Sequence, residues 1–324
     1  MWQRITVGIL VAGTVVLTPV LGLQVAQARM GQARVVRSGV EPTPGNSLAT
    51  HVGALADVVG MPGDALTRSQ PAAQPRPLAR LQSDLANYLR DKSGRWGAYI
   101  FDLQTGDVAG VNANDVFPTA STFKVPMVMY IFDQAAQNRV DLNEKLSYID
   151  DDYEDGTGVL QDTVSAGDTY AIRQLMELAI TQSDNIATNM LLRRFDRQNV
   201  YAFETRLGGK VVTLDNQNVS TPADMGLYLR ALFNPQVTTP VARDQILQWM
   251  ENTAFHDRLA AGLPDGVRVA HKIGTLDNVC NDVGVVFTPG HTYVIAVMSE
   301  DAGEDYAADV IAGLSQLTYQ DTGG

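Results

Sequence analysis

Apolar residues recur at helical spacing in Leu78, Leu81, Leu85 and Leu89, which predicts an amphipathic helix at the start of the folded part. Residues 96–103 then read as a strand, with Gln104-Thr105-Gly106-Asp107 as a hairpin turn into residues 108–111. An almost wholly apolar run, 125–132, predicts the body of a helix that Thr119 can cap and that Pro126 makes irregular in its first turn. From there to about residue 252 the pattern is mainly helical. Ile172, Leu175, Met176 and Ala179 form a stripe behind a Thr169 cap, and Ile186, Ala187, Met190 and Leu191 form a second stripe after Ser183-Asp184-Asn185. Thr221-Pro222 and Thr239-Pro240 each match a cap followed by proline at the first helical position, opening helices that end near residues 233 and 251. The period then changes: residues 267–275, 283–288 and 292–299 read as strands, Pro289-Gly290 as a turn, and 304–317 as a closing helix.

Strands at both ends of a helical middle predict an α+β fold. One antiparallel sheet is built from N- and C-terminal strands flanked by terminal helices, with an inserted all-α domain. The expected domain spans residues 78–320, its α/β part being 78–115 and 265–320 and its all-α part 116–264. A cleft between sheet and helices is the natural site.

The N-terminal 77 residues follow other rules. Arg4, the apolar stretch 5–23 and Ala26-Gln27-Ala28 make residues 1–28 an export signal, either cleaved or, since the stretch can span a bilayer, retained as a membrane anchor. Residues 29–77 are rich in Gly, Pro, Ala, Gln and Ser and read as a flexible tether, with a short helix near 51–59. Either way the folded part is expected outside the cytoplasm, secreted, periplasmic or tethered.

Charge and composition narrow the chemistry. A net charge of −12 and a pI near 4.7 argue against nucleic acid and anionic membrane as partners, so a site for an anionic substrate must be a local exception. Cys280 is the single cysteine, which excludes an intramolecular disulfide, and a lone cysteine in an apolar stretch is expected buried and inert. His51, His256, His271 and His291 are scattered, so neither a metal site nor a cofactor is expected, and a monomer is.

Three short stretches carry candidate catalysis. Ser121-Thr122-Phe123-Lys124 places a hydroxyl and an amine one helical turn apart, the arrangement a serine nucleophile with a lysine base requires. Ser183-Asp184-Asn185 lies at a helix–helix junction that can present residues to a cleft. Lys272-Ile273-Gly274-Thr275 lies on a strand, where glycine permits close approach and lysine can hold negative charge. Each is weak alone: the first spacing arises about once by chance in a chain of this length, the second is also an N-cap signal, and the third could simply guard a sheet edge.

Together and in this order they resemble the penicillin-recognising serine hydrolases, specifically class A β-lactamases and their relatives, over roughly residues 78–317. The resemblance implies a β-lactamase/transpeptidase-like fold. It makes Ser121 the acylated nucleophile, Lys124 its base or proton relay, and Ser183 the donor to the leaving amide nitrogen. Asn185 would bind the substrate's side-chain amide, Lys272 would set a positive potential, and Thr275 would hold the substrate carboxylate. Gly274 would be the place where the substrate approaches the backbone closely, and the N–H groups of Ser121 and Thr275 would form the oxyanion hole. The implied partner is a small-molecule amide, a β-lactam or a peptidoglycan-like peptide.

The sequence departs from the family pattern in three places. No glutamate lies between Glu204 and Glu251, where class A enzymes carry the base for deacylation; Asp215 is the nearby carboxylate, and it is shorter. Ile273 replaces the usual hydroxyl residue. No arginine follows on the next strand, which reads Asn281-Asp282-Val283-Gly284. Tyr153 is a candidate to line the cleft, although a loop tyrosine is more often packing. The expected activity is a serine hydrolase of the β-lactamase type with slow deacylation. The alternatives are a D,D-carboxypeptidase or other amide or ester hydrolase, or a penicillin-binding sensor without turnover.

Overall fold

The structure is a computed structural model and describes residues 78–214, 217–289 and 291–322. The expected export signal and tether lie outside the described residues, as do Asp215 and Gly290.

Helix α1 (Ala79–Leu89) leads into strands β1 (Arg95–Asp102), β2 (Val108–Val111) and the two-residue β3 (Phe117–Pro118). A 3₁₀ turn over Ala120–Phe123 opens α2 (Lys124–Ala136), after which β4 (Lys145–Ser147) and β5 (Thr169–Ala171) form a ribbon. Helices α3 (Ile172–Thr181), α4 (Asn185–Phe195) and α5 (Arg197–Arg206) follow. The short strands β6 (Thr213–Leu214) and β7 (Gln217–Ser220) precede α6 (Pro222–Ala231) and α7 (Pro240–Glu251). The chain ends with β8 (Arg268–Leu276), β9 (Val279–Thr288), β10 (His291–Glu300) and α8 (Glu304–Asp321).

The main sheet has the order β2-β1-β10-β9-β8 and its pairs are antiparallel, so the last strand in sequence sits between the first strand and the rest. Both faces are covered, which explains the nearly continuous burial of β9 and β10. On one face Leu81 and Leu85 of α1 and Ile311 and Leu314 of α8 pack against Ile295 and Val297. On the other, Val285, Ala296 and Met298 meet the helical part, where Met127, Val128 and Ile131 of α2 are fully buried. The expected insertion is therefore mostly helical, but it also carries β4–β5 and a small sheet of β3, β7 and β6. Such two- to four-residue strands exist through tertiary pairing and leave no period in the sequence.

Two expected caps are corrected. Thr119 does not cap the nucleophile's helix; its hydroxyl donates to the Asn218 carbonyl of β7 at 3.2 Å. Thr169 belongs to β5, and α3 starts later, with the Gln174 side chain accepting from the Ala171 N–H at 2.9 Å. The proline-flanked caps hold: the Thr221 and Thr239 hydroxyls accept from the N–H groups of Asp224 and Ala242 at 3.0 and 3.2 Å. Strand β9 begins at Val279 rather than 283, because Asn281 and Asp282 are buried with their polar atoms paired inside the protein. Cys280 is buried, and burial pushes its thiol up to about 12, far from a thiolate at neutral pH.

Replacing the exposed-side cap tests this account of α7. Thr239→Ala should cost about 1 kcal/mol in urea unfolding with an unchanged denaturant slope; an unchanged midpoint would show that Pro240 alone fixes the helix start.

Candidate active site

Two left-handed bends shape the backbone around the nucleophile candidate. Ala120, immediately before Ser121, has φ +48°, and Ser183 has φ +53°, both in the left-handed region that non-glycine residues disfavour by roughly 1 kcal/mol or more. The first bend turns the chain sharply into the 3₁₀ opening of α2. The second turns the Ser183 carbonyl and hydroxyl together onto Lys124.

Asp184 holds that second bend in place. It is fully buried, its Oδ1 accepts from the Ala187 N–H at 2.8 Å, and its Oδ2 accepts from the N–H groups of Val159 and Leu160 at 2.8 and 2.9 Å. It thus caps α4 and ties down the loop before it. Gly158, at φ +124°, is required there: a Cβ would stand 2.4 Å from the Asp184 carboxyl carbon. The same loop adds the Thr157 hydroxyl, which donates to the Ser183 carbonyl at 2.9 Å.

Lys124 is 2% exposed. Its Nζ lies 2.6 Å from the Ser183 carbonyl, 2.9 Å from Asn185 Oδ1 and 3.4 Å from Ser183 Oγ. Burial lowers its pKa to about 7, against the opposing charges of Asp184 and Glu154. A neutral amine has two N–H donors and one lone pair. The two donors match the two pure acceptors, Ser183 O and Asn185 Oδ1, which leaves the lone pair for a hydroxyl proton.

Lys272 completes the network from β8. Its Nζ donates to Ser183 Oγ at 2.9 Å and to the Ile273 carbonyl at 2.8 Å. Burial, then the charge of Lys124, push it well below the ordinary lysine range. The three sequence stretches therefore meet around one hydroxyl.

Glycine 274 explains how β8 comes so close to the nucleophile. A Cβ there would lie 2.7 Å from the Thr119 carbonyl and 3.1 Å from the Ser121 nitrogen. From β9, Asn281 Nδ2 donates to the Pro118 and Thr119 carbonyls at 2.8 and 3.2 Å, clamping the sheet to the segment that delivers Ser121.

An arginine enters from a place the sequence did not signal. Arg258, in the turn after α7, is fully buried; its guanidinium donates to the Gly274 and Asn281 carbonyls at 3.1 and 2.9 Å, to Thr275 Oγ1 at 2.6 Å and to Glu304 Oε1 at 2.9 Å. It supplies behind Thr275 the permanent cation that β9 lacks. Nothing in the local pattern around Asp257-Arg258-Leu259 separates it from an ordinary surface turn. Asn185 is half-buried, while Tyr153 is 53% exposed in the loop beside it. Among the described residues no group of acidic, histidine or cysteine side chains could hold a metal ion.

A family model described as the β-lactamase enzyme family matches residues 80–322. The chain belongs to that family. It is 31% identical over 280 residues to a β-lactamase of Mycobacterium tuberculosis, covering 79% of this chain and 90% of the relative. A solved variant of PBP-A, an acyl-enzyme complex with penicillin-G, superposes with a TM-score of 0.73 at 30% identity, covering 78% of this chain and 99% of that one. An ancestral class A β-lactamase gives 0.69 at 29% identity, with 74% and 99% covered. The fold is β-lactamase/transpeptidase-like, and the family is one of serine hydrolases.

Two outcomes check this geometry. The acylation rate should rise about tenfold per pH unit up to about 7 and then level off, as Lys124 loses its proton; a flat profile from pH 5 to 8 would rule out the free amine as base. Gly274→Val should cut acylation by at least tenfold with the fold retained by circular dichroism, since β8 must retreat from Ser121.

Proposed function

We propose that the protein is a serine β-lactamase-type hydrolase that acylates Ser121 with a β-lactam or D-alanyl-peptide-like amide and releases the acyl group slowly. The observation that carries this reading is the buried Lys124 amine, held by the Ser183 carbonyl and Asn185 Oδ1, its pKa lowered to about 7 by burial, one turn from Ser121.

Ser121 Oγ attacks the carbonyl carbon as its proton passes to Lys124 Nζ. The oxyanion sits between the N–H groups of Ser121 and Thr275, an arrangement typically worth about 3 kcal/mol of barrier. Ser183, holding hydrogen bonds to both lysines, relays the proton to the leaving amide nitrogen, and the C–N bond breaks. Asn185 Nδ2 donates one N–H to the Asp155 carbonyl at 3.1 Å and keeps its second for a substrate carbonyl. The substrate carboxylate is taken by the Thr275 hydroxyl. The charge behind it comes from Arg258 rather than chiefly from Lys272, whose burial favours the neutral amine.

Slow release rests on the segment after α5. It is compressed into the β6–β7 hairpin, which pairs with β3 ahead of Ser121, and residues 205–250 contain no glutamate. The carboxylates acting on Lys124 are engaged elsewhere: Asp184 by three backbone N–H groups, Glu154 by Asn189 at 2.8 Å. The acyl-enzyme captured for the PBP-A variant supports the same chemistry. Export by the N-terminal segment, cleaved or retained as an anchor, is part of this reading, as are an extracytoplasmic location and a monomeric state.

A chromogenic β-lactam should give a burst of one equivalent followed by turnover at least 100-fold slower than acylation, with a covalent adduct by intact mass. Sustained rapid turnover would show that another base serves deacylation. Ser121→Ala should abolish the adduct, and Lys124→Ala should slow its formation by about 1,000-fold or more; acylation of the second variant at the parent rate would remove the lysine from the base role.

A further inference from the structure

Beneath β8 and β9, on the side away from Ser121, lies a buried polar pair that the reaction described so far does not use. Asp282 is 0% and His271 1% exposed. His271 Nδ1 stands 3.0 and 2.8 Å from the two carboxylate oxygens of Asp282. The same Oδ2 accepts the Leu259 N–H at 3.0 Å. His271 Nε2 has no hydrogen-bond partner, which fits the tautomer that donates from Nδ1 and leaves an acceptor unfilled.

The residue next to Leu259 is Arg258. Its turn opens a short 3₁₀ helix over Ala260–Gly262, and side chains hold it from two sides: Ser315 Oγ of α8 donates to the Leu259 carbonyl at 2.8 Å, and Asp282 receives the Leu259 N–H. The guanidinium then reaches under β8 to Thr275 Oγ1. Asp282 is also the carboxylate whose charge acts on Lys272. One buried side chain therefore acts on the Lys272 amine and holds the backbone next to Arg258. Stability alone does not call for such a pair, because well-packed apolar residues in place of buried charge are often neutral or stabilising.

We infer that His271 and Asp282 are positioning residues for substrate-carboxylate recognition: the pair fixes the Leu259 backbone and so aims Arg258 at Thr275. His271 donates to Asp282, Asp282 holds the turn, and the turn sets the guanidinium. This rests on the carboxylate subsite assigned above, and it adds a specificity device two residues removed from the substrate.

The test compares acylation rate constants for one penicillin as the free acid and as its methyl ester, in the full-length protein. The ratio of acid to ester isolates carboxylate recognition, because a general loss of fold or of nucleophile slows both alike. Arg258→Ala should collapse the parent ratio. Asp282→Asn and His271→Ala should each lower it about tenfold, and His271→Asn, whose amide can again donate to Asp282, should restore at least half of that loss on a logarithmic scale. If Asp282→Asn does not melt cooperatively, the two His271 variants carry the comparison. Parent ratios in the variants, with Arg258→Ala collapsed, would overturn the positioning role alone. A parent enzyme that is acylated but indifferent to the ester would overturn the subsite itself, and a parent never acylated would overturn the functional reading beneath it.

Discussion

Two lysine amines from segments 148 positions apart in numbering (272 minus 124) converge on one serine hydroxyl, and the rest of the molecule is arranged to make that meeting tolerable. Burying a charged amine is expensive, and burying two side by side is more so. The protein resolves this by letting burial lower both pKa values and by giving Lys124 the Ser183 carbonyl and Asn185 Oδ1 as acceptors. The left-handed bend at Ser183 is a direct consequence. Only that turn presents a carbonyl and a hydroxyl of one residue to the same amine, and Asp184, with three backbone N–H groups, holds it.

The second pole of the site obeys a different logic. The protein as a whole is strongly acidic, so an anionic substrate needs a cation shielded from the general repulsion. Arg258 meets that need by being fully buried, with the Thr275 hydroxyl as its outward contact. Glu304, at the start of α8, shares the guanidinium and lies 3.4 Å from the same hydroxyl. Glu304 is more than half exposed, so it pairs the buried guanidinium from the solvent side.

Much of this was legible in the sequence. Helical and two-residue periods gave the sheet from both chain ends, and the Thr-Pro caps gave the starts of α6 and α7, because a cap is a local event. Ser121, Lys124, Ser183, Asn185, Lys272, Gly274 and Thr275 were legible as motifs and do share one region. What escaped is non-local. Arg258 acts through a buried path on Gly274, 16 residues later, and Asn281 and Asp282 look like a break in an apolar strand until their partners are known. Thr119 and Thr169 read as caps because a hydroxyl before an apolar run is ambiguous; the first is spent on β7 and the second lies in a ribbon. The absence of a glutamate between Glu204 and Glu251 was visible in the letters, whereas the pairing of β6, β7 and β3 was not.

The strand order has a consequence for when the protein becomes chemically competent. Since β10 lies between β1 and β9, the hairpin made first during synthesis has its open edge waiting for a strand made almost last. Lys272, Gly274 and Arg258 come from that same late portion. The helical part around α2 can therefore form while Ser121 still lacks its neighbours from the sheet, and the site is completed only when the C-terminal strands dock.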